Sequence, residues 1–493
     1  MTSPYSRKSL EPYLYDTVEF YPHQVDGVRT LARKPSFILA DDMGLGKSLQ
    51  SLTIVAIDAK LHRASKILVV CPVTLKGNWA DEIEKFTRFK YLIFGEEINS
   101  KGKRKALTPQ QRTIQLLEFL GHDDTEVKIV IANYEQLTKH VHEFNLHGFD
   151  IAIFDEAHYL QNAGAKRTEA AVDLSTKRTF LLSGTPMLNQ VDGLWALLYK
   201  CDPARTGNNW SFTNRYCVFG GYKNKQIIGV KNEKELRGLL HSYMLRRMKK
   251  DVLDLPDVQI IQRRVDLKDE QKELYDEVIE ELKLSVFDQD DPQEIENALT
   301  KFLRLKQICG TTFPFSGIDN SSKLDLAIED SVEILKQEPN KLVVFTQFRD
   351  VLECYASRLE AANPDINIWE LHGDIPKADR MPVVREWSAC KEPAVLVCML
   401  QVAGVGLNMT TARHAFFLDK LFTPGMNQQA IDRLHRIGAS TTQAVQVFEY
   451  ICRNTIENRV EQILHQKRKL FGMVVEKSDF KKRLIAALMA EED

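Results

Sequence analysis

The sequence predicts an α/β protein of two tandem lobes, each built on a parallel sheet, with helical insertions. Short apolar runs alternate with amphipathic helical stretches, which is typical of parallel strands covered by helices on both faces. These runs form two groups, separated by a mainly helical region from about Asp192 to Ile308. The chain has 493 residues, which is too long for one hydrophobic core and fits two α/β domains of about 200 residues each.

The predicted strands fall into an amino-terminal and a carboxy-terminal group. The first group comprises Phe37–Ala40, Ile67–Cys71, Ile129–Ala132, Ile151–Phe154 and Phe180–Leu182. The second comprises Leu342–Phe345, Ile368–Leu371, Val395–Val397, Ala415–Leu418 and Val445–Glu449. Between the groups, Pro256 breaks the pattern within Leu253–Val258, so we expect the domains to span residues 1–255 and 256–493.

The composition is that of an ordinary globular protein and gives no sign of a polyanion partner. Hydrophobic residues make up 44% and charged residues 27%, and the formal net charge is −2. Any nucleic-acid contact must therefore come from local basic patches. None of the eight cysteines is paired at C-x-x-C spacing, so we expect reduced thiols in a cytosolic compartment and no zinc site. No stretch reaches the roughly 18 apolar residues of a membrane span, and no membrane partner is expected.

A glycine-containing loop is the first candidate for chemistry. Asp41–Ser48 follows the predicted strand Phe37–Ala40 and precedes an apolar-periodic helix. Gly44 and Gly46 let the backbone turn so that its N–H groups face phosphate oxygens. The N-terminus of the following helix adds partial positive charge, so this segment is predicted to bind phosphate.

The end of this loop carries the side chains that a nucleoside triphosphate requires. We expect Lys47 to reach the β- and γ-phosphates and Ser48 to ligate Mg²⁺. Asp41 stands where the first glycine of such loops is usual. The strand–loop–helix context nevertheless favours a phosphate loop over a chance match.

Acidic residues end another predicted strand. Ile151–Phe154 leads into Asp155–His158, about 110 residues after the phosphate loop. We expect Asp155 to hold Mg²⁺ and Glu156 to orient and deprotonate the attacking water. An exposed acidic helix start is the structural alternative, which the preceding buried strand disfavours. The polar turn Leu182–Pro186 is a candidate sensor of the γ-phosphate.

Two arginines in the second half are the candidates for stabilising a transferring phosphate. Arg433 and Arg436 lie three residues apart in a predicted helical stretch that also contains Gln429, so both are expected on one helix face. A planar guanidinium matches phosphate oxygens. Taken alone, the pair is more simply read as surface arginines. Their distance in sequence from Lys47 fits a site closed by two lobes.

In this combination and order, the motifs resemble those of the Swi/Snf-type (Snf family) DNA-dependent ATPases of helicase superfamily two. The resemblance runs from about Tyr21 to Arg459. Besides the loop, the acidic strand end and the arginines, the similar segments are Tyr21–Gln24, Cys71–Pro72 with Asn78, Trp79 and Glu82, Leu245–Val252, Val344–Phe348, Leu371–Gly373, Gly404–Asn408 and Arg433–Gly438. Ala439, Met399 and Ala403 depart from the usual family residues.

The resemblance implies a fold, ligands and further site residues. It implies two RecA-like lobes that bind ATP and Mg²⁺ in the cleft between them. It also implies that Gln24 reads the adenine edge and that Gly406 belongs to the nucleotide site. The implied activity is translocation along double-stranded DNA through sequence-tolerant phosphate contacts, without strand separation.

Three other functions remain open on the sequence alone. One is a helicase that separates or anneals strands. Another is a motor subunit of a larger DNA-processing complex whose partner carries other chemistry. The third is a catalytically dead DNA-binding scaffold, which the presence of Lys47, Asp155, Glu156, Arg433 and Arg436 disfavours.

Overall fold

The computed structural model describes residues 10–98, 104–121, 126–184, 191–220, 226–254, 256–284, 292–337, 340–376, 379–403, 407–422, 424–435 and 443–461. The chain divides into two compact units, Met1–Leu253 and Asp254–Asp493. Across the described ranges, no helix combines the length and the apolar character needed to cross a membrane.

The first unit is built on a parallel sheet. Its strands are β1 (Ser36–Leu39), β2 (Lys66–Cys71), β3 (Lys90–Ile93), β4 (Glu96–Ile98), β5 (Arg104–Ala106), β6 (Lys128–Asn133), β7 (Ile151–Asp155), β8 (Arg178–Leu182), β9 (Cys217–Gly220), β10 (Gln226–Val230) and β11 (Met244–Leu245). Seven of them form one sheet in the order β11-β1-β8-β7-β2-β6-β3, with every pairing parallel. Two antiparallel hairpins, β4–β5 and β9–β10, lie outside it.

Helices connect these strands, as parallel pairing requires. They are α1 (Pro22–Leu31), α2 (Lys47–Lys60), α3 (Lys76–Phe86), α4 (Pro109–Leu120), α5 (Tyr134–His147), α6 (Lys166–Asp173), α7 (Trp195–Cys201), α8 (Pro203–Thr206), α9 (Asn209–Tyr216), α10 (Glu233–Tyr243) and α11 (Lys249–Val252). The central strands are buried along nearly their whole length, because helices cover both faces.

The second unit repeats this architecture. Its strands are β12 (Gln259–Val265), β13 (Lys341–Thr346), β14 (Asn367–Leu371), β15 (Ala394–Met399), β16 (His414–Phe417) and β17 (Gln446–Cys452). They pair in the order β12-β17-β16-β13-β15-β14, all parallel. Its helices are α12 (Asp269–Leu284), α13 (Pro292–Gly310), α14 (Phe313–Ser316), α15 (Ser322–Ile334), α16 (Arg349–Ala362), α17 (Arg380–Ala389), α18 (Leu400–Ala403) and α19 (Pro424–Ile431).

Alternating side chains of β13 build two cores in the second unit, one on each face of the sheet. Val343 and Phe345 belong to one hydrophobic cluster, and Leu342 and Val344 belong to the other. This is the two-residue period of a strand that is buried on both faces. A third cluster joins the inserted helices α12 and α13 to the end of β17.

The α/β class and the two parallel sheets are confirmed, and each of the ten predicted strands is present. The region from about Asp192 to Ile308 is mainly helical, as expected. It also contains the β9–β10 hairpin and the strands β11 and β12. The last two are edge strands, whose single pairing partner leaves them without a long buried apolar run.

Candidate active site

Three neighbouring strands of the first unit bring the predicted loops together. β1, β8 and β7 are adjacent and parallel, so their carboxyl ends lie at the same edge of the sheet. The loop Asp41–Gly46 follows β1, Ser183–Gly184 follows β8, and Asp155 ends β7. A carboxyl edge of this kind is where open α/β sheets bind their ligands.

The loops after β1 and β8 touch each other. A Cβ atom added to Gly184 would lie 2.8 Å from Met43 Cγ and 3.7 Å from Lys47 Nζ. A side chain at Gly184 would therefore collide with the side chain of Met43 in the phosphate loop. This contact explains why glycine occupies the turn that follows β8.

Two glycines set the shape of the phosphate loop. Gly44 has φ 81° and Gly46 has φ 76°, both in the left-handed region that glycine adopts without steric cost. A Cβ atom on Gly46 would lie 2.3 Å from Nε2 of Gln24. The loop then enters α2, whose residues Leu49–Ala59 are all buried, so that its N-terminus is held firmly in place. The first-turn amides and the helix dipole of α2 favour an anion at this point.

Lys47 and Ser48 are the first two residues of α2. The ammonium group of Lys47 donates hydrogen bonds to the main-chain oxygens of Asp41 at 2.9 Å and Asp42 at 3.3 Å. Lys47 is thereby held across the loop that its own helix follows. Its charge also lowers the pKa of Asp155, in opposition to the larger effects described below.

A buried ion pair explains the aspartate that replaces the first glycine of the loop. The carboxylate of Asp41 is fully buried and accepts hydrogen bonds from the guanidinium of Arg247, one of them at 3.0 Å from Nε. Arg247 also donates to Gln50 Oε1 at 2.8 Å and to the main-chain oxygen of His23. Sequence spacing could not have revealed this partner, because Arg247 lies 206 residues after Asp41.

The segment around Arg247 is attached to the loop through its backbone as well. β11 pairs with β1, and Ala40 N donates to Leu245 O at 2.7 Å. Asp42 N donates to Arg247 O at 3.0 Å, and Lys249 N donates to Asp42 Oδ2 at 3.0 Å. The motif segment Leu245–Val252 therefore holds the start of the phosphate loop in the first unit.

Gln24 lies beside the same loop. It is 3% exposed, and its Oε1 accepts a hydrogen bond from Tyr21 N at 3.0 Å, which caps α1. Its Nε2 donates to Leu45 O at 3.3 Å, and the ring of His23 contacts the same oxygen at 3.1 Å. The predicted adenine-reading residue is thus next to the phosphate loop.

The carboxylate of Asp155 is held on both oxygens. Oδ1 accepts from Glu156 N and Oδ2 accepts from Trp79 Nε1, each at 2.9 Å. The main-chain oxygen of Asp155 accepts from the Tyr134 hydroxyl at 2.8 Å. The sequence motif included Trp79 without a role, and nothing in the sequence singled out Tyr134.

Electrostatics in this corner favour a bound cation. Burial, and then the neighbouring carboxylate of Glu156, raise the pKa of Asp155 to about 6. Two carboxylates side by side repel each other, and a positive ion between or beside them relieves that repulsion. The two predicted magnesium ligands, Asp155 and Ser48, both offer oxygen donors, which Mg²⁺ prefers.

Glu156 adopts an unusual backbone conformation. Its φ is 50° and its ψ 49°, the left-handed region, which costs a non-glycine residue about 1–2 kcal/mol. Its Oε2 lies 3.1 Å from Nδ1 of His158, and the same ring nitrogen lies 3.5 Å from Ser183 Oγ. Strain of this kind concentrates at functional sites. The arrangement links the acidic strand end to the turn after β8.

The second unit holds the other predicted residues, and one expectation there was wrong. The helix α19 ends at Ile431, and Arg433 lies in the turn that follows. Arg433 N and Leu434 N bond to oxygens three residues back, at Ala430 and Ile431, because the chain tightens after the helix. Arg433 is 6% exposed and is not a simple surface arginine.

Several predicted residues lie outside the described ranges. These are Arg436–Ala439, Gly404–Gly406 and the turn residues Thr185 and Pro186. Their roles stay predictions.

Comparison with known families decides the class of the chain. Residues 23–313 match the SNF2-related domain, and residues 326–438 match the helicase conserved C-terminal domain. The chain belongs to the SNF2 family. The predicted Snf-type identity and the class of helicase-like ATPase are therefore confirmed at the level of the family.

Several curated proteins resemble the chain along most of its length. An uncharacterized ATP-dependent helicase of Mycoplasma genitalium is 29% identical over 88% of this chain and 40% of its own length. TATA-binding protein-associated factor 172 of Homo sapiens is 28% identical over 95% of this chain and 29% of its own length. The ISWI chromatin-remodeling complex ATPase ISW1 of Saccharomyces cerevisiae is 25% identical over 94% of this chain and 41% of its own length. The chain thus spans less than half the length of these relatives.

Proposed function

We propose that the chain hydrolyses ATP at the carboxyl edge of the first sheet and uses it to move along double-stranded DNA. The observation that carries the proposal is the meeting of three loops at that edge. Lys47 follows β1, Gly184 follows β8, and Asp155 ends β7, with Glu156 next in the chain. Membership of the SNF2 family supports the same chemistry.

In this proposal the loop residues bind the triphosphate. The backbone amides around Gly44 and Gly46 and the charge of Lys47 hold the β- and γ-phosphates. Gln24, already beside Leu45, contacts the adenine. Bound Mg²⁺ would neutralise charge on the phosphate oxygens, and Ser48 and Asp155 would be its ligands.

Glu156 is the general base of the proposed reaction. Its side chain, kept beside His158 by the left-handed backbone, would accept the proton of the attacking water. Arg433 and Arg436 would stabilise the charge that develops on the transferred phosphoryl group. We also propose that the two compact units are the two lobes of this motor, and that Gly406 belongs to the same site.

The remaining proposal concerns the nucleic acid. One relative is named as a factor associated with TATA-binding protein, and another as the ATPase of a chromatin-remodeling complex. For this chain we propose duplex DNA, gripped through its phosphates without sequence preference. Remodelling of DNA or of a protein–DNA complex would follow from movement along the duplex.

A panel of nucleic acids tests this proposal. ATP turnover is measured with duplex, single-stranded and forked DNA and with RNA, at several salt concentrations. We expect the largest stimulation from duplex DNA, with an affinity that falls steeply as salt rises. Equal or greater stimulation by RNA would overturn the partner.

A second assay separates translocation from strand separation. Displacement of a third strand from triplex DNA reports movement along an intact duplex, and a fork with a labelled strand reports unwinding. We expect ATP-dependent triplex displacement without release of the forked strand. Unwinding of the fork would instead favour the helicase alternative.

A further inference from the structure

The indole of Trp79 reaches from α3 to the acidic end of β7. Trp79 is 2% exposed, and its Nε1 donates to Asp155 Oδ2 at 2.9 Å. An indole N–H can only donate, so Trp79 does not compete with Asp155 for a cation. The contact therefore leaves the carboxylate free to bind a metal while restricting its direction.

The other oxygen of the same carboxylate is restricted as well. Oδ1 accepts from the adjacent amide of Glu156 at 2.9 Å. With one donor on each oxygen, the carboxylate cannot rotate without breaking a hydrogen bond in a partly buried site. Each oxygen keeps a second lone pair for another partner. The amide of Glu156 is part of the backbone, so Trp79 is the one of these two donors that a side-chain substitution can remove.

We propose that Trp79 is a positioning residue that aims the Asp155 carboxylate at Mg²⁺ of the bound nucleotide. The inference rests on the proposed function, because it takes Asp155 to be a magnesium ligand. Hydrogen-bond partners that orient metal ligands affect metal affinity by about 10–100-fold when they are replaced. The same range is expected for Trp79.

The structure supplies a matched control in Tyr134. Its hydroxyl donates to the main-chain oxygen of Asp155 at 2.8 Å, and Tyr134 is 2% exposed, like Trp79. Trp79→Phe removes the hydrogen bond to the carboxylate, whereas Tyr134→Phe removes one to the backbone of the same residue. Both variants keep an aromatic ring in a buried position. Any effect of loosening the strand end in general should appear in both.

The test measures ADP binding by calorimetry, with and without Mg²⁺, for the full chain and both variants. The measured quantity is the factor by which Mg²⁺ increases the affinity of the protein for ADP. In Trp79→Phe we expect this factor to fall about 10-fold or more, with metal-free ADP affinity unchanged. In Tyr134→Phe the factor should stay as in the parent. Thermal melts check that each variant is folded.

Trp79→His serves as the second variant, because its ring also carries an N–H group, and it should retain part of the Mg²⁺ effect. An unchanged Mg²⁺ factor in Trp79→Phe, or an equal loss in Tyr134→Phe, would overturn the inference and leave the proposed function standing. If the parent protein bound ADP equally with and without Mg²⁺, the assignment of Asp155 as a magnesium ligand would fall, and this inference with it, whereas ATP turnover with duplex DNA tests the proposed function separately.

Discussion

The two units have the same kind of parallel sheet but differ in the residues that follow a central strand. After β1 of the first unit, two glycines with positive φ keep a loop open, and Lys47 lies across it. After β13 of the second unit, the buried carboxylate of Asp419 accepts hydrogen bonds from Thr346 Oγ1 and from Gln347 N, the latter at 3.0 Å.

The difference shows that the fold alone does not make a phosphate site. In the second unit, the first main-chain amide after β13, Gln347 N, already donates a hydrogen bond to Asp419. Burial raises the pKa of the Asp419 carboxyl. In the first unit, the carboxylate of Asp41 is paired with Arg247 instead of with the amides of the loop. We therefore expect one nucleotide per chain, bound by the first unit.

The largest expected effect comes from the acidic end of β7. Glu156→Gln removes the proposed base but keeps the size of the side chain, so kcat should fall by about 10²–10⁴-fold. Nucleotide affinity should be retained, because the phosphate loop is unchanged. Steady-state turnover with saturating duplex DNA and equilibrium binding of ADP measure the two quantities. Near-normal turnover would show that another group activates the water.

The next largest effect is expected from substitutions of the two arginines in the second unit, which test whether that unit contributes to the reaction. Arg436→Ala should lower kcat by about 10²-fold or more with little change in nucleotide or DNA binding. Arg433→Ala should behave similarly. Arg436→Lys should not restore turnover, because an ammonium lacks the bidentate fork of a guanidinium.

A surface arginine of the same unit provides the control for these substitutions. Arg453 pairs with Asp266 at 2.9 Å, with side chains 52% and 70% exposed, and Arg453→Ala should be near neutral. If Arg436→Ala and Arg433→Ala both turned over ATP as the parent does, neither of these arginines of the second unit would take part in the reaction.

A smaller effect is expected from adding a side chain at a glycine of the phosphate loop. Gly46→Ala places a Cβ at φ 76° and 2.3 Å from Gln24 Nε2, so we expect nucleotide affinity to fall about 10-fold, equivalent to roughly 1.4 kcal/mol. Gly317→Ala is the matched control, since Gly317 has φ 71° with nothing within 4 Å of an added Cβ. It should cost similar backbone strain, about 1–2 kcal/mol, but leave nucleotide affinity unchanged. Equal losses of affinity would mean that strain alone explains the result.

The smallest effect on nucleotide binding is expected in the second unit. Asp419→Ala leaves Thr346 and Gln347 N without their acceptor and should lower the free energy of unfolding by about 1–3 kcal/mol. Because we place no nucleotide there, ADP affinity should stay that of the parent. Denaturant unfolding and ADP titration check the two outcomes. A loss of ADP affinity in a folded Asp419→Ala protein would contradict the contrast between the two strand ends.

The features that could be predicted from the sequence are those that a short run of consecutive residues marks. Buried parallel strands are continuous apolar runs, so β2, β7 and β13 are visible in the sequence. The phosphate loop is a short pattern between a strand and a helix, which makes Gly44, Gly46 and Lys47 predictable as well.

Contacts between residues distant in sequence could not be predicted in this way. The pairing of Arg247 with Asp41 and the hydrogen bond from Trp79 to Asp155 span 206 and 76 residues, and no periodicity marks either. The edge strands β11 and β12 were missed because they are short or half-exposed. The end of α19 before Arg433 was missed because the switch to three-residue hydrogen bonds leaves no sharp sequence signal.

The most direct test of the central claim is the stoichiometry of nucleotide binding to the full chain. A non-hydrolysable ATP analogue is titrated calorimetrically, with Mg²⁺, into the parent, Lys47→Ala and Asp419→Ala proteins. We predict one site per chain in the parent, strong loss of binding in Lys47→Ala, and unchanged binding in Asp419→Ala. Two sites in the parent, or one site of parental affinity in Lys47→Ala, would contradict a single nucleotide held by the loop after β1.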